Sequence, residues 1–282
     1  MMTKPPKGKS SDADPLTDFY NRFEEKSRLS TGPGLLEFAR TKEILERYLP
    51  SPPAVIGDVG GGAGIHALWL ARKGYQVHLV DPVAKHIQEA DQASLKQPKY
   101  PLASTAVGDA RALGWEDDSM DHLLFLGPLY HLTKRKDRLT ALKQASRVTR
   151  KEGLIFAAVI SRFASLMDGI FRRFLDDPAF VPIVEQDLID GQHRNPTDNP
   201  AYFTSAFFHH PDDIVTEIHD SGLALEKLLA VESIGGLLSD FYNLWQDRER
   251  RKRLLRFIRA VEEERSLMGT SVHIIAVAKK QT

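Results

Sequence analysis

The 282-residue sequence contains no cysteine, which excludes disulfide frameworks, cysteine-ligated zinc and thiol nucleophiles. It also has no excess charge, because 38 lysine and arginine residues balance 38 aspartate and glutamate residues. This balance removes any overall attraction to nucleic acid or anionic membranes, although it does not exclude binding through a local basic patch. Long hydrophobic runs are missing as well, since the longest strongly apolar run, 154–160, is far too short to span a bilayer.

The first residues are polar and lack the apolar segment of a signal peptide. We therefore predict a cytoplasmic protein whose residues 1–15 form a disordered tail. The length of the chain allows about two domains, or one large α/β domain with insertions.

From residue 54 onward, short apolar runs alternate with amphipathic stretches. Strands are predicted near 55–59, 76–80, 102–107, 121–126, 154–160, 224–232 and 271–278. Strands that alternate with helices at this spacing predict right-handed crossover units and a mainly parallel sheet. A predicted helix at 247–265 separates the last two strands, so the final strand can insert back into the sheet in the antiparallel direction. We predict an α/β fold of seven strands, mostly parallel with the last antiparallel, and helices on both faces.

The alternation stops after residue 160. Residues 161–210 carry many aromatic side chains mixed with glycine, proline and asparagine, which indicates an insertion over the sheet rather than another repeat of it. The alternating pattern resumes with a predicted helix at 211–221. We divide the chain into an N-terminal helical cover at 16–53, a core of 54–160 and 211–282, and an inserted lid at 161–210.

The most informative stretch is Asp58-x-Gly60-x-Gly62-x-Gly64, which follows a predicted strand and opens a predicted helix. Glycines in such a turn adopt positive φ and let a ligand approach the backbone, and the helix N-terminus offers free N–H groups. A nicotinamide dinucleotide site would need a glycine at position 65, where the chain has isoleucine. The acidic residue before the first glycine disfavours a pyrophosphate but suits a ligand that carries an ammonium and a sulfonium.

This stretch resembles motif I of the class I S-adenosylmethionine-dependent methyltransferases, whose fold is a Rossmann-like sheet, and further motifs of that family follow in order. Asp81 ends the second predicted strand, where the family has a carboxylate that accepts hydrogen bonds from both ribose hydroxyls. The resemblance implies S-adenosylmethionine as the cofactor, with adenine contacts at Asp109 and Ala110. In full, the cofactor-binding residues that it implies in this part of the chain are Asp58, Gly60, Gly62, Asp81, Pro82, Asp109, Ala110, Leu126 and Gly127.

Residues 127–132 follow the fourth predicted strand, at the edge of the sheet where open α/β folds bind ligands. They are similar to a Gly-Pro-Leu-Tyr-His-Leu loop of bacterial small-molecule methyltransferases, which implies that Tyr130 and His131 lie near the transferred methyl group. His131 is a candidate general base, because the pKa of a histidine lies near the working pH. Its alternative role is to cap the next helix or orient the loop. Methyl transfer needs no base where nucleophile, methyl and leaving sulfur are aligned.

Two N-terminal residues are further candidates for the cofactor site. Tyr20 is placed to act as a lid residue, because N-terminal helices of the related enzymes fold over the cofactor. Arg40 is placed to bind the cofactor carboxylate through a charge-assisted hydrogen bond. The alternatives are ordinary packing for Tyr20 and a solvated helix face for Arg40.

The aromatic insertion predicts an apolar or aromatic substrate and the exclusion of water from methyl transfer, although packing alone gives the same composition. Its histidines predict no metal site, because His209 and His210 are adjacent and face different ways. The basic run at 248–253 fits a solvated amphipathic helix better than a nucleic-acid site.

The sequence thus predicts S-adenosylmethionine-dependent methyl transfer to an oxygen, nitrogen or carbon nucleophile of a small molecule. Two alternatives stay open, namely an RNA or protein acceptor and a cofactor-binding regulator without catalysis. We expect no nucleic-acid or membrane partner, and a homodimer is one possible assembly.

Overall fold

The computed structural model describes residues 17, 19, 20, 28–197, 199–238 and 240–281. The predicted tail at 1–15 and part of the predicted cover at 16–53 lie outside the described residues. The helices with fully described bounds are α1 (Gly34–Tyr48), α2 (Ile65–Arg72), α3 (Ala84–Leu95), α4 (Pro128–His131), α5 (Arg135–Val148), α6 (Ala164–Phe171), α7 (Val181–Asp190), α8 (Pro211–Asp220), α9 (Phe241–Gln246) and α10 (Arg248–Val261). Within these described ranges, none of the helices combines the length and the apolar character that a membrane span requires.

The strands are β1 (Val55–Val59), β2 (Gln76–Asp81), β3 (Ser104–Val107), β4 (His122–Phe125), β5 (Leu154–Ile160), β6 (Gln192–His193), β7 (Ala206–Phe207), β8 (Leu223–Ala230) and β9 (His273–Lys280). The predicted strand bounds agree with these to within about two residues, the usual uncertainty at strand and helix ends. The predicted helix at 247–265 is shorter and ends at Val261.

Seven strands form one sheet in the order β3-β2-β1-β4-β5-β9-β8. Strands β1 to β5 pair in parallel, whereas β9 runs antiparallel to both β5 and β8. The predicted Rossmann-like sheet, mostly parallel with an antiparallel last strand, is therefore confirmed. Because β1 lies between β2 and β4, the strand order reverses at β1. Sheets of this kind bind ligands at the carboxyl ends of the strands beside such a reversal.

The core occupies both faces of the sheet, because consecutive side chains of a strand point to opposite sides. In β4, Leu123 and Phe125 join an apolar cluster with α5 and α8. Leu124, between them, joins a second cluster with α1, α2 and α3 on the other face. All three side chains are completely buried. Helices therefore cover both faces of the sheet, as the sequence predicts.

Residues 161–210 contain α6, α7 and the small β6–β7 sheet, and they add no strand to the main sheet. A separate apolar cluster in this segment consists of Phe180, Ile183, Val184 and Tyr202. Beside it, the buried Asp187 accepts a hydrogen bond from the Ser165 hydroxyl and lies 2.8 Å from Nδ1 of His193. The segment thus holds its shape through a core of its own.

Candidate active site

The turn between β1 and α2 brings backbone, rather than side chains, to the carboxyl edge of the sheet. Gly60, Gly62 and Gly64 have φ of +68°, +57° and +81°, a region that other residues avoid. A Cβ at Gly60 would lie 2.9 Å from Cδ of Pro128, and a Cβ at Gly127 would lie 2.7 Å from the Gly60 carbonyl oxygen. The turns that follow β1 and β4 are therefore in direct contact, which requires glycine at both positions.

A cavity of about 530 Å³ opens at this edge. It is lined by all but one of the residues predicted for the site: Tyr20, Asp58, Gly60, Gly62, Asp81, Pro82, Asp109, Ala110, Leu126, Gly127, Tyr130 and His131. Residues that are far apart in the sequence thus meet around one cavity, of a volume typical for small-molecule sites.

Asp81, the last residue of β2, is buried and held by hydrogen bonds. Its Oδ2 accepts from the backbone N–H of Gly62 at 2.9 Å, and its Oδ1 accepts from the backbone N–H of Val83 at 2.9 Å. Oδ1 also lies 3.0 Å from Nδ1 of His86. These contacts fix the carboxylate against the glycine turn on the cavity wall.

Asp58 presents an unsatisfied acceptor to the same cavity. The residue is 1% exposed, and its Oδ2 has no hydrogen-bond partner among the described residues. Burial raises the pKa of Asp58 to about 7, and the neighbouring Asp81 carboxylate adds to the rise. A buried carboxylate with a free oxygen suits a cationic group of a ligand, such as an ammonium. Together with the glycine turn, this oxygen fits an aminoacyl ligand such as S-adenosylmethionine.

Asp109 lies at the outer rim of the cavity and is partly exposed. Its carboxylate accepts hydrogen bonds from the Arg111 guanidinium, the shortest at 2.6 Å. These bonds hold the pKa of Asp109 below its usual range, against the opposing effect of its partial burial. Ala110 beside it is buried and also lines the cavity.

Tyr20 and His131 meet in another part of the cavity wall. The Tyr20 hydroxyl lies 2.8 Å from Nε2 of His131, and its ring meets the rings of His131 and His86 edge to face at 5.5 and 5.1 Å. Residues 128–131 form the short helix α4 instead of the predicted loop. Burial lowers the pKa of His131 to about 3, although Asp81 opposes the effect. The expectation that this pKa lies near the working pH is therefore wrong, and His131 is neutral at pH 7.

Comparison with known proteins agrees with this geometry. Residues 57–157 match the model of a family described as a methyltransferase domain. Methyltransferase GfsG of Streptomyces halstedii is 28% identical over 140 residues, which are 49% of this chain and 46% of that protein. The chain thus spans about half the length of this curated relative. Residues 57–157 are thus a methyltransferase domain, in a chain that has the fold of the class I S-adenosylmethionine-dependent methyltransferases.

Solved structures share the fold of the methyltransferase domain. An S-adenosylmethionine-dependent methyltransferase from Methanosarcina mazei superposes with a TM-score of 0.57 at 20% identity, over 84% of this chain and 97% of that one. A geranyl diphosphate C-methyltransferase from Streptomyces coelicolor A3(2) was solved with Mg²⁺, geranyl diphosphate and S-adenosyl-L-homocysteine. It gives a TM-score of 0.51 at 10% identity, over 86% of this chain and 79% of that one. At these identities the likeness concerns the fold.

Arg40 is the one predicted site residue that does not line the cavity. The side chain is completely buried, and its guanidinium pairs with Glu43 and Glu262. Its Nε also donates a hydrogen bond to the Val231 carbonyl oxygen at 3.1 Å. Its expected contact with the cofactor carboxylate is therefore wrong, because Nε and one Nη join α1 to the residues that follow β8 and α10, and the other Nη pairs with Glu43 within α1.

The cavity residues that carry no sequence motif include Arg28, Glu37, His66 and His273. Burial would raise the pKa of Glu37, but Arg28 and His273 outweigh it and lower this pKa to about 2. Burial lowers the pKa of His66 to about 4. Burial opposes the charge on His273, yet Glu37 and Glu232 raise its pKa to about 9. The sequence signal for His273 is a histidine directly before the apolar run 274–278 of the final strand.

Side-chain atoms of Glu37, Glu232 and His273 lie within 4.8 Å of one another, a spacing that metal ligands can have. However, both carboxylate oxygens of Glu37 bind Arg28, at 2.5 and 3.0 Å. Nδ1 of His273 is likewise taken up by Glu232, at 2.6 Å. We therefore assign these residues to an ion-pair cluster and not to a metal centre.

The insertion at 161–210 stands behind the cavity wall. None of its described residues lines the cavity, but the ring of Phe203 lies 5.8 Å from that of His131 and 5.5 Å from that of Phe19. The segment thus supports the Tyr20–His131 wall from outside.

Proposed function

We propose that the chain binds S-adenosylmethionine in this cavity and transfers its methyl group to an oxygen, nitrogen or carbon atom of a small molecule. The observation that carries the proposal is the continuity of the cavity. One space is lined by Asp81, Asp109 and the glycine turn and also by Tyr130, His131 and His273. Cofactor and acceptor can therefore lie in contact within it, shielded from water.

The glycine-turn half of the cavity would hold the cofactor. Asp58 offers its free oxygen to the ammonium group, Asp81 accepts from the ribose hydroxyls, and Asp109 with Ala110 faces the adenine. Leu126 and Gly127 lie beside the methyl end. When bound there, S-adenosylmethionine supplies a methyl group that its sulfonium already activates.

The reaction requires little acid–base chemistry from the side chains of the site. Because the bound cofactor would supply an already activated methyl group, the chain would need only to hold the acceptor atom in line with it, and any proton on the acceptor would pass to solvent. His131 is a poor proton acceptor, because its pKa is about 3. We assign to Tyr20 and His131 the role of closing the site and aligning the reactants, which accelerates a displacement without a base.

Three observations support a small acceptor. The cavity volume of about 530 Å³ suits a cofactor and a small molecule. The overall charge is zero, so the chain as a whole lacks the net positive charge that favours nucleic-acid binding. A structural neighbour with the same fold was solved with geranyl diphosphate, a small molecule.

Transfer of a labelled methyl group tests the proposal. The protein is incubated with methyl-labelled S-adenosylmethionine and a cell extract, which is then separated into small molecules, RNA and protein. We expect label in the small-molecule fraction, and its loss with the Asp81→Ala variant. Label in RNA or protein would overturn the choice of acceptor. Cofactor binding without any transfer would instead support a regulator.

A further inference from the structure

At and behind the cavity wall lies a group of charged side chains that we call the charged cluster: Arg28, Glu37, Glu232 and His273. Arg28 and Glu37 come from the N-terminal segment and α1, Glu232 follows β8, and His273 opens β9. Arg28, Glu37 and His273 line the cavity, whereas Glu232 is 3% exposed and does not line it.

Hydrogen bonds within the charged cluster occupy its acceptors. Both oxygens of Glu37 accept from the Arg28 guanidinium. Oε1 of Glu232 accepts from Nδ1 of His273 at 2.6 Å, and its Oε2 accepts from the His273 backbone N–H and the Ser271 hydroxyl, both at 2.9 Å. Nε2 of His273, by contrast, makes no hydrogen bond to any described residue. Nε2 of His273, a residue that lines the cavity, is therefore left for a ligand.

The surroundings of His273 make this nitrogen a donor. Its Nδ1 lies 2.6 Å from Glu232 and 3.7 Å from Glu37, and these two carboxylates raise the pKa of the imidazole to about 9 against burial and the opposing charge of Arg28. Asp168 of α6 also interacts with the charge of His273. Burial raises the pKa of Asp168, and the His273 charge opposes part of this rise. At neutral pH both ring nitrogens of His273 therefore carry hydrogen, and Nε2 can only donate.

We propose that Nε2 of His273 anchors the methyl acceptor by donating a hydrogen bond to an anionic oxygen, a carboxylate or a phenolate, of a small organic acid. A charged donor binds an anionic oxygen about twice as strongly as a neutral one, especially away from water. Leu29, Val231 and Ile275 line the cavity as well and offer an apolar surface to the body of such a molecule. Glu232 acts as a positioning residue, because it fixes the ring through Nδ1. The identification of this anion as the methyl acceptor rests on the proposed function, whereas the anion site itself does not.

Benzoate and benzamide are matched probes, since they share a shape and differ in the anionic oxygen. The full-length protein with ¹⁵N-labelled histidine is titrated with each, with and without saturating S-adenosylhomocysteine, while the His273 ring signals are followed by NMR. We expect millimolar benzoate to shift the Nε2 signals and benzamide to leave them in place. No shift with benzoate, or equal shifts with both probes, would overturn the proposal, and this measurement needs no variant.

Variants give a second readout. In His273→Gln, we expect the affinity for benzoate to fall at least tenfold, whereas His78→Gln, a change on the exposed part of β2, leaves it unchanged. Wild-type binding should weaken as the pH rises through about 9, and Glu232→Gln should move this loss to lower pH. Benzoate affinity unaltered in His273→Gln would overturn the proposal. Displacement of the Nδ1 hydrogen by Mg²⁺ or Zn²⁺ would also overturn the proposal, because His273 would then be a metal ligand.

Calorimetry with S-adenosylhomocysteine on the same samples separates this inference from the proposed function. If benzoate binds at His273 and S-adenosylhomocysteine does not bind, the anion site stands and the proposed function fails. If S-adenosylhomocysteine binds and benzoate does not, the proposed function stands and the anion site fails.

Discussion

The hydroxyl oxygen of Tyr20 lies 2.8 Å from Nε2 of His131, across 111 positions of the chain. The bond joins the N-terminal segment to α4, directly after the central strand β4. Both residues line the cavity, so the bond joins two distant parts of the chain within its wall. A neutral His131 makes this contact a closing device rather than a proton relay.

Tyr20→Phe removes the hydroxyl and leaves Nε2 of His131 without its partner. We expect the affinity for S-adenosylhomocysteine to fall by about 1–2 kcal/mol, the usual result of leaving one buried polar group unpaired. Calorimetry measures the change, with Tyr242→Phe on the exposed surface of α9 as the matched control. Equal affinities for both variants would show that the bond does not hold the wall closed.

Asp81→Ala removes the carboxylate that is assigned to the ribose. Because hydrogen bonds to a charged group contribute about 1.5–3 kcal/mol, we expect a loss of cofactor affinity in that range. Asp91→Ala, on the exposed side of α3, is the control. Thermal unfolding must accompany the titration, since Asp81 also holds the backbone of Gly62 and Val83. Unchanged affinity would refute the assignment.

Cofactor affinity should depend on pH through Asp58, whose pKa of about 7 means that the carboxyl group is largely protonated below neutrality. An ammonium ligand prefers the ionised form, so affinity should rise between pH 6 and 8, by up to about tenfold per pH unit. Calorimetry across this range on wild type and Asp58→Asn checks the expectation. If the cofactor affinity of Asp58→Asn rises equally steeply with pH, the pH dependence belongs to another group.

The buried neutral histidines should make the fold sensitive to acid. The pKa of His66 is about 4 in the folded chain, against 6.5 for a free histidine. As the pH falls below 6.5, the unfolded chain takes up a proton that the folded chain refuses, so the free energy of unfolding decreases. We expect a slope of up to about 1.4 kcal/mol per pH unit from this residue. Urea unfolding between pH 5 and 7 should show a smaller slope in His66→Gln than in wild type.

Arg40→Met should affect folding and not cofactor recognition. Removing the guanidinium deprives the buried Glu262 of one of its two arginine partners and leaves it paired with Arg47 alone, so we expect a loss below the cost of breaking a buried pair, which is about 3–5 kcal/mol. Denaturant unfolding measures this loss. Cofactor affinity, measured where the variant is folded, should stay within twofold of wild type. A large loss of affinity with intact folding would restore Arg40 to the site.

The sheet could be predicted because its signals are local. The strands are short apolar runs, and the Asp58–Gly64 motif needs positive φ at its glycines, which the turn after β1 provides. The carboxyl ends of β1, β2 and β4 lie at the same edge of a parallel sheet, so the sequence alone assigns Asp58, Asp81 and Gly127 to one cavity.

The rest of the site depends on tertiary packing. Arg40 lies between Leu36 and Ile44 on one completely buried stripe of α1, whereas Glu37 and Thr41, one position further on, face the cavity. The pKa of His131 depends on burial by segments distant in the sequence. The charged cluster forms only when α1 packs beside β8 and β9, so no spacing in the sequence announces it.

Calorimetric titration of the wild-type protein with S-adenosylmethionine and S-adenosylhomocysteine tests the central claim most directly. We expect each compound to bind saturably, with one molecule per chain. Protein that is already saturated with one compound should give no binding heat with the other, because the two compete for the same cavity. An absence of binding by either compound at millimolar concentration would contradict the account.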